Sequence, residues 1–153
     1  MKIRIEMEDA LEEDEVIIRC RQLTDEIIQL QRMIGQESGL SNQFLLYKGE
    51  TEYYVPLSDI LFFETENGVI QVHTKTEVYE TKYKLYELEE LLPGYFLRIS
   101  KSAIVNCNQI YSVNRNLTAS SLVEFRDTHK QIYVSRAYYK ALKSKLDEKR
   151  LLK

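Results

Sequence analysis

The sequence lacks long hydrophobic runs and contains little glycine, proline or cysteine. One of its longest apolar stretches, residues 60–63, covers four positions, whereas a membrane helix needs about 20. Five glycines and two prolines are too few for a collagenous or low-complexity chain. The N-terminus has no apolar signal segment. Cys20 and Cys107 lie far apart in the sequence, which indicates two free thiols in a reducing compartment. We therefore expect a cytoplasmic protein.

Motifs for catalysis and metal binding are also missing. The two histidines, His73 and His129, have no cysteine or carboxylate at metal-ligand spacing. No glycine-rich phosphate loop and no nucleophile-elbow motif occurs. A cysteine–histidine pair formed by the fold is an alternative, but buried or incidental thiols are the simpler interpretation. We expect no enzyme activity, no cofactor, no metal and no small-molecule substrate.

Charge is distributed unevenly along the chain. The net charge of −3 is the sum of −5 in residues 1–44, −6 in residues 45–92 and +8 in residues 93–153. A basic C-terminal third of this kind can bind a polyanion. The alternative is that its lysines form the solvated face of a final helix.

The first 42 residues differ from the rest. Ile3 and Ile5 alternate with charged residues, which suits a short strand or an extended arm. After the acidic run at residues 12–15, a heptad-like apolar stripe predicts a helix that ends near Gly35; its members are Val16, Cys20, Leu23, Ile27, Leu30 and Ile34. This amphipathic helix either packs on its own domain or forms a dimer. The polar residues 35–42 indicate a boundary, which gives domains at residues 1–42 and 43–153.

From residue 43 the pattern alternates with a period of two, which is typical of strands. Turn signals separate the strands, and Asn67-Gly68 is the strongest of them. Short helices are predicted at residues 84–92 and from Arg136 onward. The predicted strands are residues 44–47, 52–55, 60–64, 69–74, 77–82, 96–99, 103–105, 110–114, 121–125 and 131–134. The fold class is mainly β (α+β), with an antiparallel arrangement.

The basic third contains two clusters at predicted element ends. Arg98, Lys101 and Ser102 surround a strand–turn–strand junction, and Ser135-Arg136 ends a strand and opens a helix. An arginine at such a junction can bind guanine or phosphate with its planar fork. Hydroxyls and helix N-terminal amides suit phosphate oxygens. Solvated surface cations are the alternative for each residue taken alone.

Three segments of the sequence together resemble one known family. They are VPLSDILFFE (residues 55–64), FLRISKSAIVN (residues 96–106) and VSRAY (residues 134–138). In this order and spacing they resemble the LytTR-type DNA-binding domain, and the likeness covers about residues 43–148. It implies a ten-stranded, mostly antiparallel β domain with small helices that binds DNA as a transcriptional regulator. Members of the family place loops in successive major grooves.

The resemblance also implies roles for individual residues. Base contacts fall at Lys101, at Arg136 and in the loop that contains Asn67, although Asn67 is equally well interpreted as a type I′ turn residue. Phosphate or supporting contacts fall at Arg98, Ser102, Ser135 and Tyr138. We add phosphate neutralisation by three lysines, Lys130, Lys140 and Lys143. The side chain of Asn106 is expected to bond the turn that presents Lys101.

Residues 1–42 are too short for the receiver domain that often precedes this family. The resemblance therefore suits a stand-alone regulator without a receiver domain. We expect a homodimer on duplex DNA with two adjacent repeats, and a regulatory partner protein that is membrane-bound. The predicted dimerisation residues are Val16, Leu23, Ile27, Leu30 and Ile34. The alternative from another class is a non-enzymatic protein-interaction module whose basic C-terminal surface meets an acidic protein.

Overall fold

The computed structural model describes residues 2–37 and 43–149. The chain forms two units that divide between residues 38 and 39. Of the elements formed by these described residues, all ten strands and two of the three α-helices belong to the second unit. The core of the protein lies there as well.

The first unit contains one helix, α1 (Asp25–Glu37), and residues 2–24 form neither helix nor strand. The prediction that the helix begins near Val16 is wrong, because Val16, Cys20 and Leu23 all precede it. The helix begins after Thr24, whose Oγ1 accepts a 3.3 Å hydrogen bond from the amide of Ile27. This is an N-cap contact, and Asp25 and Glu26 in the first turn favour the same start.

The predicted apolar stripe continues within α1. Ile27 and Leu30 are half-buried, and Ile34 is 38% exposed. Their spacing of three and four residues places them on one face of the helix. Val16 and Leu23 are exposed and lie outside α1. Cys20 is an exposed free thiol.

The described part of the second unit contains ten strands, as the sequence predicts, and each of the strand pairings found there is antiparallel. Seven strands form one sheet in the order β2-β1-β5-β4-β3-β7-β6, and three form a second sheet in the order β10-β9-β8. The strands are β1 (Gln43–Lys48), β2 (Thr51–Pro56), β3 (Phe62–Glu66), β4 (Val69–His73), β5 (Val78–Thr81), β6 (Phe96–Ser100), β7 (Ala103–Asn106), β8 (Ile110–Asn114), β9 (Ser121–Phe125) and β10 (Gln131–Val134).

Two hydrophobic clusters lie on opposite faces of the larger sheet. Successive side chains of a strand point to opposite faces, so Phe62 and Phe63 on β3 enter different clusters. Ile104 and Val105 on β7 divide in the same way. The start of β3 and the whole of β7 are therefore buried on both faces, which explains the consecutive apolar residues Phe62-Phe63 and Ala103-Ile104-Val105.

Helices α2 (Leu85–Leu91) and α3 (Arg136–Glu148) cover one cluster each. Leu85 and Leu88 of α2 are buried in the cluster of Phe63. Leu142 of α3 is fully buried in the cluster of Phe62. Burial of these leucines fixes both helices against the sheets, with the N-terminus of α3 directly after β10.

Asn106 has a structural role, but it is not the predicted one. Its side chain is fully buried. Its Nδ2 donates a 2.9 Å hydrogen bond to the carbonyl oxygen of Ile60, and its Oδ1 accepts one of 3.0 Å from the amide of Asn108. Asn106 therefore connects β7 with the segment before β3, and it does not bond the turn that contains Lys101.

Candidate nucleic-acid interface

The turn between β6 and β7 presents Lys101 to solvent. Residues 101–102 form this turn, and both are exposed. The pairing of β6 with β7 is irregular between Arg98 and Ser100. The amide of Ser102 donates a 3.1 Å hydrogen bond to Oγ of Ser100. The turn is thus short and internally bonded, with the side chain of Lys101 directed outward.

Arg98 stabilises this turn from within. Its Nε donates a 2.7 Å hydrogen bond to the carbonyl oxygen of Ser100, and its Nη2 donates to the carbonyl oxygen of Lys101. Its Nη1 forms an ion pair with Oε1 of Glu89 on α2. All three guanidinium nitrogens therefore donate to other groups of the protein, and the side chain of Arg98 is only 22% exposed.

A main-chain hydrogen bond joins the start of α3 to β6. The amide of Ser135 donates 2.9 Å to the carbonyl oxygen of Ile99. Ser135 is the N-cap of α3 and makes no side-chain cap bond, so its hydroxyl is not used in capping. Arg136, the first helical residue, is exposed. This bond places Arg136 beside the turn that carries Lys101.

A second main-chain hydrogen bond joins the β3–β4 hairpin to the same turn. The amide of Thr65 donates 2.8 Å to the carbonyl oxygen of Ser102. The hairpin turn follows at Asn67 and Gly68, which have φ angles of 53° and 79°. Two central residues with positive φ are characteristic of a type I′ turn. Asn67 therefore has the turn role that the sequence allowed, and its side chain is exposed two residues beyond Thr65, whose amide bonds Ser102.

The cations of this surface differ in whether they are already paired. Within residues 2–37 and 43–149, Lys101, Arg136 and Lys140 have no ion pair or side-chain hydrogen bond. Arg136, Lys140 and Lys143 follow one another at spacings of four and three, so they form a stripe on α3. Lys143 is paired with Asp147 at 2.8 Å. The unpaired cations are the ones with charge available for a ligand.

Lys130 is placed elsewhere. Its Nζ donates a 2.7 Å hydrogen bond to the carbonyl oxygen of Glu77, and burial lowers its pKa. It precedes β10, whereas Ser135 follows it, so roughly 17 Å of strand separates the two at about 3.3 Å per residue. The structure does not bring Lys130 together with Lys101 and Arg136.

Tyr138 supports α3. It is half-buried and packs against the hydrophobic cluster of Phe62. Its amide donates a 3.0 Å hydrogen bond to the carbonyl oxygen of Ser135. These contacts fix the first turn of α3, on which Arg136 lies.

Sequence reasoning missed Glu89. It lies nine residues before Arg98 on α2, in a run of acidic residues with nothing to set it apart from its neighbour Glu90. A contact between a helix and a strand of this kind depends on side-chain directions that the sequence pattern does not encode. The available signal is the placement of an arginine between the apolar residues Leu97 and Ile99 of a strand.

Burial shifts the pKa values of Cys107 and His73. Burial raises the pKa of the Cys107 thiol to about 11, which keeps it protonated and unreactive at neutral pH. Burial lowers the pKa of His73 to about 4. Among the described residues, no group of three or more histidine, cysteine or carboxylate side chains is arranged to hold a metal ion. Nor is any described helix long and apolar enough to cross a membrane.

Comparisons with known proteins found similar sequences and a similar fold. A family model described as the LytTr DNA-binding domain matches residues 50–147. An uncharacterized HTH-type transcriptional regulator of Staphylococcus aureus (strain NCTC 8325) is 33% identical over 108 residues, which cover 69% of this chain and 71% of the relative. One from strain MW2 is 29% identical over 150 residues, or 95% and 98% of the two chains. A solved LytTr DNA-binding domain from Bacillus cereus has a TM-score of 0.64 at 25% identity, and the match covers 69% of this chain and 97% of that domain.

Proposed function

We propose a mode of DNA recognition for this chain, which belongs to the LytTr DNA-binding domain family. The chain is a DNA-binding transcriptional regulator. Its proposed interface consists of three connected segments: the turn at residues 101–102, the N-terminus of α3 at Ser135-Arg136, and the hairpin turn at Asn67-Gly68. In this proposal they enter the major groove as loops, without a recognition helix.

The observation that carries this proposal is the pair of main-chain hydrogen bonds at the 101–102 turn. Ser135 bonds to Ile99 on one side, and Thr65 bonds to Ser102 on the other. Main-chain bonds hold the three segments at fixed spacing, whatever their side chains do. Base recognition needs such spacing, because a hydrogen bond to a base edge is lost when the donor moves by about 1 Å.

The residues of the interface divide into two roles. Lys101 and Arg136 are proposed to contact base edges, because they are exposed, unpaired among the described residues and placed on adjacent segments. Lysine and arginine both suit the O6 and N7 acceptors of guanine. The amide of Asn67 is proposed as a weaker third contact from the β3–β4 turn.

The second role is binding to phosphates. Lys140 is proposed as the main phosphate contact, since it lies one helical turn beyond Arg136 and has no ion pair among the described residues. Ser102 and Ser135 supply hydroxyls at the same edge. Lys143 contributes less, because Asp147 already offsets its charge. Two predicted contacts, Arg98 and Lys130, are assigned a supporting role, since internal carbonyl groups hold their side chains.

A selection from a random pool of duplex DNA tests the proposal. The full chain is incubated with the pool, bound duplexes are recovered over several rounds, and the product is sequenced. We expect a recurrent short motif. A pool without enrichment, from protein that is folded by circular dichroism, would contradict direct base recognition by this chain.

We further propose that the regulator is a cytoplasmic homodimer that binds two adjacent repeats. The supporting observation is the face of α1 formed by Ile27, Leu30 and Ile34, with the same spacing as in a short coiled coil. The bounds of α1 restrict this face to fewer than two heptads, so dimerisation is expected to be weak without DNA. We also propose a membrane-bound regulatory protein as a partner, which would act on the same N-terminal segment.

Sedimentation of the full chain tests the dimer. Leu30→Glu adds a charge to the apolar face, and Gln31→Glu adds the same charge at an exposed neighbouring position. We expect the wild type and Gln31→Glu to bind a two-repeat duplex as dimers and Leu30→Glu to bind one repeat at a time. Equal stoichiometry for the two variants would argue against dimerisation through α1.

A further inference from the structure

We propose that Glu89 on α2 is a positioning residue for DNA recognition, and that it acts on Lys101 through Arg98. The inference rests on the proposed function, because it assumes that Lys101 contacts DNA. Neither the family likeness nor the names of the relatives assign a role to Glu89. Its side chain is 45% exposed and ends in the ion pair with Arg98.

The chain of contacts from Glu89 to Lys101 is continuous. Oε1 of Glu89 accepts from Nη1 of Arg98, while Nε and Nη2 of the same guanidinium donate to the carbonyl oxygens of Ser100 and Lys101. The guanidinium is planar and its donors have fixed relative directions. When the carboxylate holds one corner of this plane, the directions of the other two donors are also fixed.

Other bonds hold the ends of this turn, but none of them is made to the carbonyl oxygen of Lys101. The strand pairing is irregular between Arg98 and Ser100 and resumes where Ser100 pairs with Ala103. The ladder therefore fixes the ends of the two-residue turn, and the bond from Arg98 fixes the peptide group of Lys101. The carbonyl of Lys101 belongs to the residue whose side chain is proposed to contact a base. Rotation of that peptide group would move the side chain, so the hydrogen bond from Arg98 selects one orientation of Lys101.

Simple electrostatics makes the opposite prediction for Glu89, which allows a decisive test. A carboxylate near a DNA-binding surface repels phosphates, so its neutralisation should strengthen binding to every duplex. If Glu89 positions Lys101, neutralisation of the Glu89 carboxylate weakens binding to the recognised sequence. Glu90 is the matched control, because it is the adjacent residue on α2, is exposed, and has no ion pair among the described residues.

The experiment compares full-length Glu89→Gln and Glu90→Gln on the selected duplex and on a scrambled duplex. We expect Glu90→Gln to bind both duplexes as well as the wild type or slightly more tightly. We expect Glu89→Gln to lose about five- to tenfold in affinity for the selected duplex, because a neutral amide holds the guanidinium of Arg98 less firmly than a carboxylate does, and to keep its affinity for the scrambled one. Identical behaviour of the two variants would overturn the inference.

A charge-conserving change at Arg98 separates positioning from phosphate binding. Lysine keeps the positive charge but cannot reach two carbonyls and a carboxylate at once. We expect Arg98→Lys to lose affinity for the selected duplex while the salt dependence of binding stays unchanged. If Arg98→Lys binds like the wild type and Arg98→Gln lowers the salt slope by about one unit, Arg98 is a phosphate contact and the inference is wrong.

A double-mutant cycle excludes a general effect on folding. In a Lys101→Ala background, Glu89→Gln should have little further effect, because its influence passes through Lys101. A loss that is equal in both backgrounds would indicate a merely structural role and contradict the inference. If the wild type itself shows no sequence preference, the proposed function fails before this inference is tested, so the two failures are distinguishable.

Discussion

The backbone amide of Ser135 donates a hydrogen bond of 2.9 Å to the carbonyl oxygen of Ile99. Arg136 follows Ser135, and Lys101 lies two residues beyond Ile99. One main-chain bond thus links the two segments that carry the proposed base contacts. Since this bond involves neither side chain, either side chain can be removed while the other stays in place. The effects of the two substitutions should therefore be separable.

Removal of the Arg136 side chain should weaken specific binding. We expect Arg136→Ala to cost about 1–3 kcal/mol of binding free energy on the selected duplex, because a fork contact to a base is lost. Preference should relax at one base position only. Titration against duplexes with single base changes measures this. A uniform loss on all duplexes would instead assign Arg136 to phosphate.

Removal of the Lys140 side chain should weaken binding to all sequences. We expect Lys140→Ala to lower the slope of log affinity against log salt by about one unit, because one phosphate contact is lost. Lys143→Ala should lower it less, since Lys143 is paired with Asp147. Lys130→Ala is the control with no expected change of slope, because its Nζ is bound to the carbonyl of Glu77. A larger change for Lys130→Ala than for Lys140→Ala would contradict this assignment.

Asn67 combines a turn conformation with a proposed contact, and glycine separates the two. Glycine accepts the φ of 53° at this position without strain. Asn67→Gly should therefore keep the fold and remove only the amide, with a loss of about 0.5–1.5 kcal/mol in binding to the selected duplex. Unchanged binding by Asn67→Gly would restrict Asn67 to its turn role. Gly68→Ala serves as the opposite case, because its φ of 79° disfavours any side chain and should lower stability by about 1 kcal/mol.

His73 should make stability depend on pH. Burial, with a smaller contribution from the charge of Lys130, lowers the pKa of His73 to about 4, whereas an unfolded histidine titrates near 6.5. The unfolded state binds more protons between these values, so this contribution to stability is complete above about pH 6.5 and is lost as the pH falls toward about 4. Urea denaturation across this pH range should show that the free energy of unfolding falls more steeply with decreasing pH for the wild type than for His73→Gln. Parallel pH profiles would contradict the assignment.

The strands and the site loops of the second unit could be predicted because local signals agree with the tertiary structure there. Asn67-Gly68 requires positive φ at both positions, and the apolar positions of β3 and β7 match the two buried clusters. The likeness in residues 96–106 and 134–138 then located the segments around Lys101 and Arg136. Backbone periodicity and turn chemistry are short-range properties, and a single sequence contains them.

The start of α1 and the partners of the cations could not be predicted in this way. A stripe from Val16 suggested a longer helix, but the Thr24 cap begins it at Asp25. The β-branched residues at positions 16–18 also have low helix propensity. Arg98 is predicted from the resemblance as a phosphate or supporting contact and Lys130 from its charge as a phosphate contact. The directions of their side chains depend on Glu89 and Glu77, which lie in other parts of the chain. Side-chain direction over such separations is a property of the tertiary fold.

The most direct test of the account is the specificity ratio of the Lys101→Ala/Arg136→Ala double variant. Affinities of the full chain for the selected and the scrambled duplex are measured at one salt concentration, with Lys140→Ala as the variant that removes charge alone. The account predicts that the ratio falls close to one for the double variant and stays at the wild-type value for Lys140→Ala. A ratio that survives in the double variant, or falls equally in both proteins, would contradict base recognition by Lys101 and Arg136.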